Sequence, residues 1–257
     1  MSKNKINRRD FLKLGAIGAT VLAGTQFIRQ PAGASETSPS GGHKWAMVID
    51  QGKCTGCGYC TLACRANNDI SPDISWNVVS KTGKVGEQEV FLPRPCMQCA
   101  HAPCVEVCPV RASTYRPDGI VKMDYDRCIG CRYCEVACPY GARSFNWKKF
   151  DGSNPAVPDW GQPEVARRPR GVVEKCSFCY QRIDRGRALG LTPGVDEDAT
   201  PACVVVCPVG ARKFGDLSDP DSNVSKLLRS HASYRLREDL GTSPRVYYLP
   251  VAEEPQS

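Results

Sequence analysis

Sixteen cysteines carry almost all the chemistry that this sequence can offer. They fall into four groups: Cys54, Cys57, Cys60 and Cys64; Cys96, Cys99, Cys104 and Cys108; Cys128, Cys131, Cys134 and Cys138; and Cys176, Cys179, Cys203 and Cys207. Within a group most gaps are two or three residues, so several sulfurs can converge on one compact inorganic group. Thiolates are ligands for zinc and for iron–sulfur clusters. Structural zinc uses C-x2-C pairs, but it seldom uses a C-x2-C-x2-C triplet. Disulfides are the usual fate of cysteine in an exported chain, yet cysteines two residues apart are badly placed to bridge each other. The count suits four [4Fe–4S] clusters, with iron held through all sixteen cysteines and none left over.

The third group reads C-x2-C-x2-C-x3-C-P, the run of bacterial ferredoxins, in which three cysteines hold one cubane and the fourth ligates its neighbour. The first group has the same spacing with Arg65 in place of proline. The second widens one gap and ends Cys108-Pro109, and the fourth separates Cys179 from Cys203. Groups must then work in pairs. The ferredoxin rule, applied to sequence neighbours, assigns Cys96, Cys99, Cys104 and Cys138 to one cluster and Cys128, Cys131, Cys134 and Cys108 to another. Cys54, Cys57, Cys60 and Cys207 form a third set, and Cys176, Cys179, Cys203 and Cys64 the last. Spacing alone does not prove this exchange for the stretched groups.

Other chemistries lack their motifs. No C-x-x-C-H is present to attach c-type haem, and neither a Walker loop nor a dinucleotide-binding glycine run follows a strand. His43, His101 and His231 are scattered. Catalytic residues are therefore expected to be none. Tyr59, Tyr133 and Tyr180 recur inside the cysteine loops, where aromatic cover that keeps water from the clusters is the expected role.

The elements that position the cysteines are short. Trp45–Asp50 reads as a strand feeding the first loop, and Ser113–Asp124 as a hairpin turning at Pro117-Asp118-Gly119. Residues 70–92, 146–169 and 186–200 have the glycine, proline and aspartate of surface loops. Val224, Leu227, Leu228 and His231 recur at helical spacing, and Pro244–Leu249 reads as an extended arm. The expected class is α+β, with paired bacterial-ferredoxin-like modules related by a pseudo-twofold axis, long loop insertions, and a C-terminal helix and arm. One module is discontinuous (44–95 and 151–216), a second (96–150) is inserted into it, and 217–257 forms the helix and docking arm.

Residues 1–34 read as a twin-arginine export signal, from Asn7-Arg8-Arg9-Asp10-Phe11-Leu12-Lys13, a mild apolar stretch and a small-residue site at Ala32-Gly33-Ala34. That stretch is shorter than the roughly 20 apolar residues that span a bilayer. Because this route carries folded protein, clusters could be assembled before export. The formal charge of +7 is concentrated here, since the segment holds six basic residues against Asp10 alone. The remainder is near +2, and four anionic clusters would make it negative, which removes the case for nucleic-acid binding. Arg167, Arg168 and Arg170 are expected either to face an acidic partner or to be solvated.

Several stretches resemble the four-cluster iron–sulfur subunits that accompany molybdopterin oxidoreductases and related respiratory complexes. They are Cys96-Met97-Gln98-Cys99, Ala102-Pro103-Cys104-Val105-Glu106-Val107-Cys108-Pro109, Cys128-Ile129-Gly130-Cys131-Arg132-Tyr133-Cys134, Ala137-Cys138-Pro139-Tyr140-Gly141-Ala142-Arg143, Lys175-Cys176-Ser177-Phe178-Cys179 and Pro201-Ala202-Cys203. The resemblance implies an electron-transfer subunit without substrate chemistry, in keeping with the crossed cysteine sets. It implies as partners an integral membrane quinone-binding (NrfD-like) subunit and a haem-containing or other redox subunit, together with the Tat translocase during export. The implied location is the periplasm or outer face of the cytoplasmic membrane, with peripheral attachment through partners. The private signal and the stretch Gly194–Pro201 point to the sulfite-reduction-associated (DsrO-like) branch. An NrfC-like nitrite-reduction carrier, the beta subunit of a molybdopterin oxidoreductase or menaquinone reductase, and a free polyferredoxin shuttle are the alternatives.

Overall fold

The computed structural model describes residues 42–251, so the expected export signal and the end of the C-terminal arm lie outside the described residues. Strand β1 (Trp45–Asp50) enters the first cysteine group. Trp45 to Ile49 are all buried, although the run does not alternate. A strand this buried needs its main-chain N–H and C=O groups paired on both edges. They are β8 (Arg212–Asp216), antiparallel with Met47 opposite Phe214, and β9 (Val246–Leu249), parallel with Met47 opposite Val246. The expected arm is thus a sheet strand, and the segments before the first group and after the fourth are joined by main-chain hydrogen bonds.

The fold is α+β, with small sheets and short helices interspersed. Besides the three-stranded sheet, the described residues form three two-stranded antiparallel pairs. Strands β4 (Ser113–Tyr115) and β5 (Val121–Met123) make the expected hairpin between the second and third groups. Strands β6 (Arg143–Phe145) and β7 (Val173–Lys175) connect the exit of the third group to the entry of the fourth.

One expected loop is instead regular structure. Within 70–92 the chain forms β2 (Val78–Val85), which pairs with β3 (Gln88–Arg94). Lys81, Thr82, Lys84, Gln88 and Glu89 are all exposed, so the alternation that marks a half-buried strand is absent and turn residues dominate the reading. Pairing is secured locally, across a turn at Gly86 and past an irregularity at Gly83. The stretch 186–200 also departs from a free loop, since a helix extends to Ala188 and Ala199 is fully buried.

The helices follow the cysteines: α1 (Tyr59–Asn67), α2 (Pro103–Glu106), α3 (Tyr133–Val136), α4 (Tyr180–Ala188) and α5 (Ala202–Val205). Helix α6 (Asn223–Ser230) covers the three-stranded sheet, with Val224, Leu227 and Leu228 against Val48 and Leu249. Its N-cap Ser222 accepts a hydrogen bond from Ser225 N at 3.2 Å. His231 is exposed at the other end and does not extend the buried face.

Candidate iron–sulfur sites

Each cysteine loop curls in the same way. The residue just before the second cysteine has positive φ in all four: Gly56 (71°), Gln98 (47°), Gly130 (69°) and Phe178 (53°). A left-handed residue here turns the chain so that both flanking sulfurs face one side. A Cβ on Gly56 would lie 2.4 Å from the Phe91 ring, and one on Gly130 2.2 Å from the Gly171 carbonyl oxygen. Glycine is thus required there by space as well as by φ. Gln98 and Phe178 are fully buried and carry the strain through contacts. Gln98 donates to Cys176 O at 2.8 Å and accepts from Val121 N at 2.8 Å. Phe178 packs edge-on against Phe214 at 5.5 Å.

The structure gathers cysteines across groups. Cys54, Cys57 and Cys60 line one recess with Cys207, Ile49, Val79 and Arg212. Cys96, Cys99 and Cys104 line another with Cys138, Val121 and Arg143. Cys64 points away from its own group: Asn68 Nδ2 lies 3.8 Å from both Cys64 Sγ and Cys179 Sγ. Burial first, then the neighbouring Cys176, Cys179 and Cys203, push its thiol well above the usual range. Burial raises the Cys134 thiol, and the nearby Cys104 and Cys128 add to this; the short helices α2 and α3, which lie within the second and third groups, pack together.

Neighbouring sulfurs link one recess to the next. Cys203 lies within electrostatic reach of Cys60, Cys176 of Cys96, and Cys134 of Cys104. The succession runs from the recess of Cys54 at one end, through Cys203 and Cys176 and the recess of Cys96, to Cys134 and Cys128 at the other. Cys57 and Cys131, one in each terminal set, are exposed, whereas Cys96, Cys99, Cys104, Cys176, Cys179, Cys203 and Cys64 are buried. Around the ends lie exposed apolar side chains, Tyr59 and Leu62 at one and Ile129, Tyr133 and Val136 at the other. Tyr59 and Tyr133, 53% and 63% exposed, sit at the molecular surface, while Tyr180 is partly buried.

The donor set fits iron–sulfur clusters. All sixteen cysteines are free thiols. Burial raises the thiols of Cys99 and Cys179 to about 12, so several thiolates sharing a cavity need cationic metal to form. Among the described residues no three Cys, His, Asp or Glu side chains converge as ligands of a single ion; the thiols ring recesses instead. Donors point at the sulfurs: Ala112 N and Ser113 N at Cys108 Sγ (3.2 and 3.4 Å), Phe178 N at Cys176 Sγ (3.5 Å) and Asn77 Nδ2 at Cys60 Sγ (3.2 Å). Arg143 lines the Cys96 recess, and its buried Nε has no hydrogen-bond partner among the described residues.

Two segments match the description 4Fe-4S dicluster domain, residues 88–153 and 127–211, and residues 45–66 match a 4Fe-4S binding domain. The menaquinone reductase iron–sulfur cluster-binding subunit of Nitratidesulfovibrio vulgaris is 48% identical, over 80% of this chain and 88% of that one. The chain belongs to the iron–sulfur subunits of respiratory oxidoreductase complexes. The putative iron–sulfur subunit of a dimethyl sulfoxide reductase from Halobacterium salinarum is 42% identical, over 80% of this chain and 78% of its own length. An Hdr-like menaquinol oxidoreductase iron–sulfur subunit 1 of Archaeoglobus fulgidus is 38% identical, over 97% of this chain and all of that one. Like relatives named as iron–sulfur subunits of oxidoreductases, this subunit is an electron carrier and not the catalytic partner.

Sequence reasoning misassigned Arg167 and Arg168, while Arg170 is exposed as expected. Arg167 pairs with Asp69 at 3.0 Å and Arg168 with the buried Glu174 at 3.1 Å. Arg170 donates to Trp147 O at 3.0 Å. Arg167 and Arg168 serve neither solvation nor an acidic partner; they tie the 146–169 segment to the core. Sequence reasoning also missed Asn68, Asn77, Gln98, Arg143 and Arg212, all buried against cysteines or their loops. The only hint was positional, because Arg143 and Arg212 each stand five residues after the last cysteine of a group.

Proposed function

We propose that the subunit conducts single electrons along four [4Fe–4S] clusters held by the crossed sets: Cys54, Cys57, Cys60 and Cys207; Cys176, Cys179, Cys203 and Cys64; Cys96, Cys99, Cys104 and Cys138; Cys128, Cys131, Cys134 and Cys108. The observation that carries this reading is the pair of recesses lined by Cys54, Cys57, Cys60 and Cys207 and by Cys96, Cys99, Cys104 and Cys138, each drawing its fourth cysteine from another group. When bound, such clusters exchange one electron at a time without moving atoms. The protein's share is to orient the thiolates, donate N–H groups to sulfur and keep water from the inner sets, which together tune potential. Pairing of β1 with β8 supports two ferredoxin-like modules about a pseudo-twofold axis, one of them discontinuous (44–95 and 151–216) and enclosing 96–150.

The partners are an integral membrane subunit that exchanges electrons with menaquinone and a second redox subunit of the molybdopterin-oxidoreductase type. Two relatives carry menaquinone or menaquinol in their names, and others are subunits of dimethyl sulfoxide, selenate and tetrathionate reductases. These names favour the menaquinone-reductase or molybdoenzyme alternative over the sulfite-reduction-associated branch expected first. Among the described residues no helix is long and apolar enough to cross a membrane. Attachment at the outer face would then come through the membrane subunit, after export directed by Arg8 and Arg9.

The test is iron and sulfide analysis of anaerobically purified protein with EPR of the reduced state. About sixteen irons per chain are expected from four cubanes; eight, or zinc in their place, would sink the reading. Cys64→Ala should remove the cluster of Cys176, Cys179 and Cys203 and spare that of Cys54. Loss of the Cys54 cluster instead would show that the groups are not crossed. Mild detergent extraction should recover the chain with a multi-pass membrane protein, and recovery always alone would favour a free shuttle.

A further inference from the structure

Two buried arginines stand between consecutive cysteine sets and have no carboxylate partner among the described residues. Arg143 is 4% exposed and Arg212 is 2% exposed. Arg143 donates to Cys104 Sγ at 2.9 Å, Met123 Sδ at 3.0 Å and Ser113 Oγ at 2.6 Å. Arg212 donates to Cys203 Sγ at 3.6 Å, Met47 Sδ at 3.4 Å and Asn77 Oδ1 at 2.6 Å. One guanidinium thus meets a cysteine sulfur, a methionine sulfur and a neutral side-chain oxygen, and the same combination is built twice from different parts of the chain.

Each arginine also spans two sets. Arg212 lines the recess of Cys54, Cys57, Cys60 and Cys207, yet its hydrogen bond goes to Cys203 of the next set. Its partner Asn77 donates in turn to Cys60 Sγ at 3.2 Å, closing a bridge between the two. Arg143 lines the recess of Cys96, Cys99, Cys104 and Cys138 and faces Cys134 of the terminal set. The corresponding positions after the first and second groups are Asp69 and Ser113, so the cation is not a general feature of the loop. Lys175 occupies the middle gap, but its Nζ is bonded to the main-chain oxygens of Val121 and Cys176.

An isolated buried charge is strongly disfavoured, and one left without an anion demands a compensating negative group. Arginine stays protonated in proteins. We propose that Arg212 and Arg143 are the counter-ions of the thiolate-ligated clusters on either side of them, and that each raises the reduction potentials of its own flanking pair. Arg212 acts on the Cys54 and Cys176 sets, Arg143 on the Cys96 and Cys128 sets. Taking up one electron adds one negative charge and moves no atom, so a fixed cation alongside favours the reduced state. Both are positioning residues that act through the cluster environment and touch no electron partner.

The inference rests on the four-cluster reading, so wild-type protein is assayed first. Fewer than four cubanes there would defeat that reading itself. With four present, EPR-monitored redox titration is run on Arg143→Gln and Arg212→Gln, which keep a donor but lose the charge, and on Arg143→Lys and Arg212→Lys. Each Gln variant should lower two of the four midpoints and leave the other two in place. The two variants should move different pairs, and Lys should restore most of the shift. Loaded Gln variants with unmoved midpoints, or both variants moving the same pair, would overturn the proposal. If Gln variants lose iron from two sites while Lys variants keep it, the charge is still the required feature. Equal iron loss in Gln and Lys variants would mean that only the guanidinium shape matters, and would overturn it.

Discussion

The cysteine loops of the first and third groups differ from those of the second and fourth in one revealing respect. All four need a left-handed residue before the second cysteine. The first and third use Gly56 and Gly130, and the cysteine that follows, Cys57 or Cys131, is exposed. The second and fourth use Gln98 and Phe178, and the cysteine that follows, Cys99 or Cys179, is buried. A loop whose second cysteine lies at the surface can be thin, since no buried space remains there to fill. A loop in the middle must fill the interior, so it accepts backbone strain of about 1–2 kcal/mol in exchange for side-chain contacts that glycine cannot make.

If that contrast is right, removing the interior side chains should do the most harm. Phe178→Ala deletes a fully buried ring and keeps the unfavourable φ, so a loss of about 3–5 kcal/mol is expected. It is read as a lowered denaturation midpoint of the holoprotein together with loss of the inner iron. Gln98→Ala should follow, at about 2–4 kcal/mol, because Val121 N and Cys176 O both lose a buried partner. The same unfolding series measures it, and a loss below that of a surface substitution would break the comparison.

The glycine loops should rank by what blocks a side chain. Gly130→Ala meets a main-chain oxygen at 2.2 Å, which cannot move without displacing the loop at Gly171. Gly56→Ala meets a phenyl ring that can turn. The expectation is roughly 2–3 kcal/mol for the former against about 1–2 kcal/mol for the latter, where left-handed strain supplies most of the loss. Iron retention after mild heating would separate them, and the reverse order would show that Phe91 is the stiffer neighbour.

Cysteine type and spacing were enough to read the cofactor chemistry, because ligation by a short loop is local and three sulfurs two residues apart leave few other geometries. Trp45–Asp50, the hairpin at Pro117–Gly119 and the helix carrying Val224, Leu227 and Leu228 were legible for the same reason: apolar runs, turn residues and helical spacing act over a few positions. The hairpin of β2 and β3 was not, since its exposed lysines and glutamates erase the alternation and only pairing makes it a strand. Nor could Arg167 and Arg168 be recognised as internal, as their carboxylates lie at Asp69 and Glu174. The sequence by itself determined that closely spaced thiols would bind iron–sulfur clusters. Only the tertiary structure decided that Cys64 meets Cys179 through Asn68, that Cys207 joins the recess of Cys54 and Cys138 that of Cys96, and that Arg212 and Arg143 line those recesses. Those are contacts between residues far apart in the chain, and no local spacing encodes the burial that makes an unpaired charge matter.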